Sequence, residues 1–467
     1  MKMWSGRFRQ PLDPAFERWQ RSFDFDRRLL THELAASSAH ARALKIVGVL
    51  TSDELIAILQ GLERIGEQAA ASRAFLEDDE AEDVHHFVEK KLVSLIGDIG
   101  YKLHSGRSRN EQIATDLRLY VRAATDQARA DLAAFCGVLL DRALQAGNAA
   151  MPAYTHLQRA EPVLVSHWLL AYVEMFLRDA DRLADCRKRL NVCPLGSGAV
   201  AGATLPLDRR AIAADLDFDG STANSIDATC DRDFAIEFVN TLSLLALHLT
   251  RWAEEMILFS SQEYGFIRLP EAYSTGSSAM PQKKNPDLLE LARGKCARVI
   301  GDATTLQICM KGLPLAYNKD LQETQERLFD AADTVMSLLP LVTGWMKEAE
   351  FNYEAMQQAA QSGFMNAWAA ATYLVRRGVP FRLAHEQIGK AVQMCLEKHC
   401  ELQDLSLEEL HSVNSQFDHD FYACLKLESV LALHDVQGGT APARVRQAMV
   451  DARQKIESIR EGIHAHA

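Results

Sequence analysis

An almost entirely helical fold follows from three features of this 467-residue sequence. No proline lies between Phe23 and Met151, between Leu207 and Leu269, or between Leu315 and Leu339, and helices grow long where proline does not interrupt them. Within these stretches apolar residues recur at steps of three and four, which lines them up on one helix face. Strict apolar–polar alternation is scarce, which leaves room for only a few short hairpins.

The first long stripe runs through Ile113, Leu117, Tyr120, Ala124 and Ala128 and continues with Leu132, Phe135 and Leu139. A second uses Val165, Leu169, Tyr172, Phe176 and Leu183. The third is the clearest: Phe234, Phe238, Leu242, Leu245, Leu249, Trp252, Met256 and Phe259. A helix of about 26 residues there would span about 39 Å, far beyond the average of about 11–12 residues. Stripes of that length are buried only against one another, so a bundle is expected, and such helices often continue their seam across a subunit interface. The coarse division is an N-terminal helical domain over 1–105, a central long-helix bundle over 106–360 and a C-terminal helical domain over 361–467.

Composition narrows the function. With 48% hydrophobic and 24% charged residues the chain has the balance of a globular enzyme with a large core. A formal charge of −12 argues against a general nucleic-acid binder, which needs clustered positive charge. A local cationic pocket can still capture a small anion. Nine cysteines without a CxxC pair are expected to be reduced thiols, since neither Cys186 and Cys193 nor Cys395 and Cys400 have zinc-ribbon spacing. The start, MKMWSGRFRQPLDP, lacks the apolar run of a signal peptide, and no uncharged span of about 18 residues could cross a bilayer. A cytoplasmic enzyme without membrane contact is the expectation.

Three segments between the stripes are too rich in polar groups for plain connections: KLHSGRSRNEQ (102–112), AYTHLQRAEP (153–162) and YSTGSSAMPQKKNP (273–286). The last delivers hydroxyls, amides and two lysines between Pro281 and Pro286, a set suited to enclosing a carboxylate ligand. The first sets Arg107, Arg109 and Asn110 beside Ser105 and Ser108, and arginine forks match carboxylates; a capped helix start with solvated arginines explains the same residues. The second supplies Thr155, His156 and Gln158, where a lone histidine is more often structural than catalytic. A fourth stretch, LGSGAVAGATLP (195–206), has no phosphate-loop lysine and reads as a close-packed turn.

Taken in order, the three segments resemble the signature regions of the fumarase/aspartase superfamily, with GSSAMPQKKNP the most diagnostic. MWSGRF, EDVHHFVEKKL, HSGRSRNEQIATDLRLY, GLPLAYNKDLQE, SGFMNA, RRGVPFRLAHE and GGTAPARV extend the likeness along nearly the whole chain, toward the argininosuccinate lyase branch. The resemblance implies a three-domain, long-bundle fold and release of fumarate from argininosuccinate, with arginine as the other product, as in arginine biosynthesis and the urea cycle. It implies no metal, no organic cofactor and a homotetramer whose active sites draw on three chains. Ser277 is similar to the family's catalytic serine, His156 to its histidine and Glu290 to the carboxylate that orients the histidine. Either Ser277 or His156 can be the base, with serine favoured. Ser278, Lys283 and Asn285 match positions that hold the succinyl carboxylates. Asp83, Arg232, Tyr317, Gln322 and Gln325 match positions around the leaving amino acid, and Ser22, Arg109, Asn110 and Thr155 match further substrate contacts.

The likeness also has gaps. Glu111 stands where aspartate is usual, Val88 where asparagine is common, Thr324 for aspartate, Gln325 for lysine, and Trp368–Ala369 for a threonine–aspartate pair. These leave two other readings open: the same elimination on a different N-substituted aspartate such as adenylosuccinate, and a catalytically silent, crystallin-like protein.

Overall fold

The structure, a computed structural model, describes residues 10–464; the MWSGRF string at 3–8 lies outside the described residues. Helices dominate: α1 (Leu30–Ile46), α2 (Ser52–Ala71), α3 (Val84–Ile96), α4 (Arg109–Ala146), α5 (Val165–Leu190), α6 (Asp233–Ser260), α7 (Asp287–Met310), α8 (Glu323–Glu348), α9 (Ala367–Arg376), α10 (Phe381–Lys398) and α11 (Pro442–His464). The expected, almost entirely helical fold is what the chain adopts. No helix among the described residues is long and apolar enough to cross a membrane.

The chain forms two compact units, each assembled from three segments. The first takes Met1–Gln127, Arg182–Ser243 and Arg298–Val335, and the second Ala128–Asp181, Leu244–Ala297 and Met336–Ala467. In the first unit Ala36, Ala39 and Ala43 of α1 are small enough to pack closely on Leu195, Ile212 and Phe218. Phe23 stacks on Phe87 at 4.9 Å, Tyr120 of α4 meets Phe329 of α8 edge-on at 5.0 Å, and the Arg118 guanidinium covers the Phe234 ring at 4.5 Å. In the second unit Phe135 of α4 packs on Phe176 of α5 and Trp252 of α6, and Trp252 meets Trp345 of α8 at 5.3 Å. Aromatic pairs at these separations add to the stability their buried area already supplies. A separate cluster, with Leu374, Ile388, Phe417 and Phe421, forms the core around α9 and α10.

All eight apolar residues of the α6 stripe are buried, as are those of α5; along α4 only Tyr120 is partly exposed. Helix starts are built from the polar residues preceding them. Thr51 caps α2 in a reciprocal box with Glu54, and Asp83 caps α3 by accepting from the His86 amide at 2.8 Å. The glycine-rich stretch 195–206 is a tight turn held on α4: Glu111 accepts from the Gly198 amide at 2.8 Å and the Ser108 amide at 3.0 Å. A Cβ on Gly198, at φ 61°, would lie 2.6 Å from the Gly202 carbonyl oxygen, so only glycine fits.

Two hairpins carry the polar segments outward. Strands β1 (Ala150–Thr155) and β2 (Gln158–Leu164) pair antiparallel with Thr155 opposite Gln158, which leaves His156 and Leu157 as a two-residue tip. Strands β3 (Thr275–Gly276) and β4 (Lys284–Asn285) pair antiparallel and present 277–283 as a loop.

One helix differs from the expectation set by proline. α8 continues through Pro340, whose missing N–H and bulky ring work against the preceding turn. Pro340 is exposed, while Leu338, Leu339, Val342, Trp345 and Met346 on either side are buried. Burial of those five, at about 1.5–3 kcal/mol each, outweighs a proline cost of about 3 kcal/mol. Pro340→Ala should therefore stabilise the protein, by up to about 3 kcal/mol, read from a denaturant or thermal unfolding curve. A lower midpoint would show that the ring is part of the packing.

Candidate active site

Within the first unit, two helix starts converge on a small polar cavity of about 110 Å³. Asp83, the cap of α3, and Arg109, the first residue of α4, form its floor and pair at 3.2 Å; Arg109 also reaches Glu82 at 3.3 Å. Ser22, Asn110, Tyr317, Gln322 and Gln325 complete the wall from the candidate set. Burial resists ionisation of Asp83, but the Arg109 guanidinium and the His85 ring outweigh it and hold the carboxyl well below the usual carboxylate range.

Beneath this floor lies a cluster of buried charges. The His85 Nε2 atom is 3.0 Å from Asp116 Oδ2 and 3.6 Å from Glu33 Oε2, and its Nδ1 is 3.7 Å from Asp83 Oδ1. Burial pushes the His85 pKa down, yet Glu33, Asp116 and Asp83 together raise it well above the ordinary histidine value. Three acidic side chains thus favour the protonated form of the ring. Burial raises Asp116 to about 7, with Glu33 adding to the rise and His85 opposing it. Asp26 is likewise pushed up to about 7 by burial and then by Asp83, although Ser22 Oγ donates to its Oδ2 at 2.5 Å and the Val84 amide to its Oδ1 at 3.0 Å. Glu33, His85 and Asp116 have the side-chain types and closeness of a metal site. Glu33 and Asp116 each contact the His85 ring directly, and through it they reach Asp83, so they form a buried ion-pair cluster.

The remaining first-unit candidates sit around Tyr317. Arg232 is buried, donating to the Asp231 carbonyl at 2.7 Å, and its charge opposes the burial-driven rise of the Tyr317 phenol. Gln322 donates to the Gln20 carbonyl at 3.1 Å. Gln325 is buried, and its Oε1 has no hydrogen-bond partner among the described residues. The departures from the family pattern now separate by place. Val88 is core, Thr324 donates to the Leu321 carbonyl at 2.6 Å, Glu111 ties down the glycine turn, and Trp368 is exposed beside buried Ala369. Of these, Gln325 is the one that lines the cavity.

The second-unit candidates stand on the two hairpins. His156 and Leu157 both hold positive φ, 55° and 58°, a conformation that favours Asn-Gly and costs other residues about 1 kcal/mol or more. Thr155 and His156 are exposed. On the longer loop, Ser277 Oγ accepts from the Ala279 and Met280 amides at 3.2 and 3.1 Å. Asn285 donates to Thr275 Oγ1 at 3.3 Å and to the Gly276 carbonyl at 3.4 Å, which braces the hairpin neck. Ser278 and Lys283 are exposed on the loop, and Glu290 is exposed in the first turn of α7. Among the described residues, no hydrogen bond or ion pair joins His156 to Glu290.

The cavity also brings in Asp26, Glu82, His85 and Lys319, which motif reasoning did not single out. Glu82 and His85 flank Asp83 in EDVHHFVEKKL, and Lys319 follows Tyr317 by two, so each lay inside a quoted string. Asp26 carried no such signal.

The sequence matches the lyase family model over residues 6–301 and the argininosuccinate lyase C-terminal model over residues 364–432. It is 57% identical to an argininosuccinate lyase of Koribacter versatilis, with 100% of both chains covered. Identity to an argininosuccinate lyase of Acidobacterium capsulatum is 58%, over 97% of this chain and 94% of that one. The crystal structure of EDDS lyase in complex with formate shares the fold at a TM-score of 0.84 and 26% identity, covering 98% of this chain and 93% of the other.

The buried carboxyls make stability pH-dependent. Asp26 has a folded pKa above its unfolded value of 3.8, so its contribution is fully present below that value and is lost as pH rises toward about 7. Asp26→Asn cannot ionise. Its unfolding midpoint should gain on that of the parent protein as pH is raised from about 4 to about 8. A difference that stays constant across that range would count against the shifted carboxyl.

Proposed function

Because the chain belongs to the argininosuccinate lyase family of the fumarase/aspartase superfamily, we propose that it cleaves argininosuccinate into arginine and fumarate. The observation that carries this reading is end-to-end identity of 57% with an argininosuccinate lyase, with nothing left over on either chain. The cavity agrees with it in chemistry. Asp83 is ionised there and faces the pocket, and a carboxylate fork is what a guanidinium group takes. A place in arginine biosynthesis, in the cytoplasm, goes with this activity.

The difficult step is removal of a proton from the succinyl carbon beside a carboxylate, which adds negative charge to an anion. Ser277 takes that proton. What supports it as base is the pair of backbone amides directed at its Oγ, donors that stabilise an oxyanion more than a neutral hydroxyl. Ser278, Lys283 and Asn285 hold the succinyl carboxylates. The electron pair left on carbon forms the new double bond as the C–N bond breaks, and the departing nitrogen collects a proton by way of His156, oriented by Glu290. Thr155, Ser22, Asn110, Arg232, Tyr317, Gln322 and Gln325 position the two halves of the substrate.

We further infer a homotetramer in which the hairpins of one chain serve the cavity of another. Its support is that the Ser277 and His156 candidates stand on the two hairpins, while Asp83, Tyr317, Gln322 and Gln325, candidates for the leaving amino acid, line a cavity that the chain builds by itself.

Three measurements test these readings. Fumarate absorbance followed with argininosuccinate, adenylosuccinate and aspartate in turn should rise with the first alone; silence with argininosuccinate refutes the activity. Ser277→Ala should keep the fold and assembly and lose nearly all turnover, on the order of a hundredfold or more; substantial residual rate would assign the base elsewhere. Activity should vanish when the protein is diluted to monomers, as followed by light scattering. A monomer that turns over substrate would end the shared-site reading.

A further inference from the structure

We propose that Lys319 is a specificity-determining residue that binds the α-carboxylate of the amino-acid half of the substrate. The inference rests on the argininosuccinate reading and adds the group that selects the leaving amino acid. That half carries an α-ammonium and an α-carboxylate at the end remote from the scissile bond. The carboxylate needs a cation, and the cavity offers three cationic side chains: Arg109, His85 and Lys319.

Two of the three are committed. Arg109 is held against Glu82 and Asp83 at 3.3 and 3.2 Å. The His85 ring is buried among Glu33, Asp116 and Asp83 and cannot turn outward. Lys319 differs. Its ammonium is 3.7 Å from Glu82 Oε1, beyond hydrogen-bond range, and its side chain is 53% exposed at the cavity rim. A flexible four-carbon stem with a loosely held ammonium can swing to an incoming carboxylate without breaking a strong pair.

Gln325, which lines the same cavity, supplies the complement. Gln325 is neutral, so it cannot take the carboxylate's charge, but its buried Oε1 has no partner among the described residues. A buried acceptor left open is costly unless a donor arrives, and the substrate's α-ammonium is such a donor. Lys319 and Gln325 thus divide the zwitterion: cation to carboxylate, amide oxygen to ammonium.

The test uses the full assembled enzyme and two inhibitors of argininosuccinate cleavage: arginine, and agmatine, which is arginine without its α-carboxylate. Lys319→Met should raise the KM for argininosuccinate about tenfold or more, with a much smaller fall in kcat, and weaken inhibition by arginine to the same extent. Inhibition by agmatine should not change. Lys319→Arg should stay within about threefold of the parent, because the cation is retained, and Gln325→Leu, which removes the acceptor for the ammonium, should weaken inhibition by arginine and agmatine alike. If Lys319→Met weakens arginine and agmatine alike, the residue is structural and the proposal is overturned; unchanged inhibition by arginine also overturns it. Should Lys319→Met not fold, Lys319→Gln, which also removes the charge but keeps a polar side chain, takes its place and should weaken arginine about tenfold or more while leaving agmatine unchanged. A pocket lacking a carboxylate site would leave the ratio of arginine to agmatine inhibition unchanged in Lys319→Met and Lys319→Gln alike, and the proposal would fall. A parent protein that does not cleave argininosuccinate fails at the earlier step and refutes the proposed function itself.

Discussion

The ion pair between Asp83 and Arg109 is the constraint on which the cavity depends. Each residue begins a helix, and the N-terminus of a helix carries partial positive charge. Asp83 is at home there as the cap of α3, whereas Arg109 at the start of α4 is placed against the dipole. Two carboxylates, Glu82 and Asp83, offset that placement. Joining the two helix starts in this way fixes the cavity floor, and it keeps Asp83 ionised at a depth where burial alone would protonate it.

Consequences spread from that pair into the protein. An ionised Asp83 beside Asp26 raises the neighbour's pKa, and the same charge helps hold a proton on His85. With Glu33 and Asp116 also buried, the region carries more acid than its cations can neutralise, and sharing protons is the remaining way to lower the repulsion. Paired buried charges add little to stability on balance, but breaking one pair strands its partner. The arrangement is therefore brittle, and it ties the geometry of the cavity to the integrity of the helices around it.

How much of this could be read in the sequence varies with the kind of information. The long helices were legible because one period, repeated over many turns, makes the apolar stripe unmistakable, as on α6. Pro340 was not, because proline's local cost is a weaker quantity than the burial on both sides of it, and burial belongs to tertiary structure. Among site residues, Asp83 and Arg109 were legible as motif members, but their pairing was not, since 26 positions separate them in the chain. Asp26 and Glu33 lie outside every motif string, and their role arises only where α1, α3 and α4 meet. The departures from the family pattern looked equivalent as letters. Placement separates them: Val88, Thr324 and Glu111 answer to packing and capping, whereas Gln325 answers to the cavity.

That separation bears on how the proposed reaction class and substrate choice are encoded. Chemistry that removes a proton from carbon needs donors in fixed positions, and the Ser277 hairpin has them in its own backbone: two amides on one oxygen, and a neck braced by Asn285. The tip at His156 keeps two side chains at positive φ, where glycine or asparagine would relieve the strain. Retaining non-glycine residues there costs stability, and folding draws no benefit from an exposed imidazole, which is in keeping with the role proposed for His156. The cavity wall is built on other terms. Its residues come from helix starts and from the turn before α8, and exchanging one side chain alters charge without disturbing the hairpins. A lysine-to-glutamine change at 325 can therefore alter how an amino acid is gripped while the groups proposed for the elimination stay as they are, which is why an intact GSSAMPQKKNP string and a variant pocket are compatible in one enzyme.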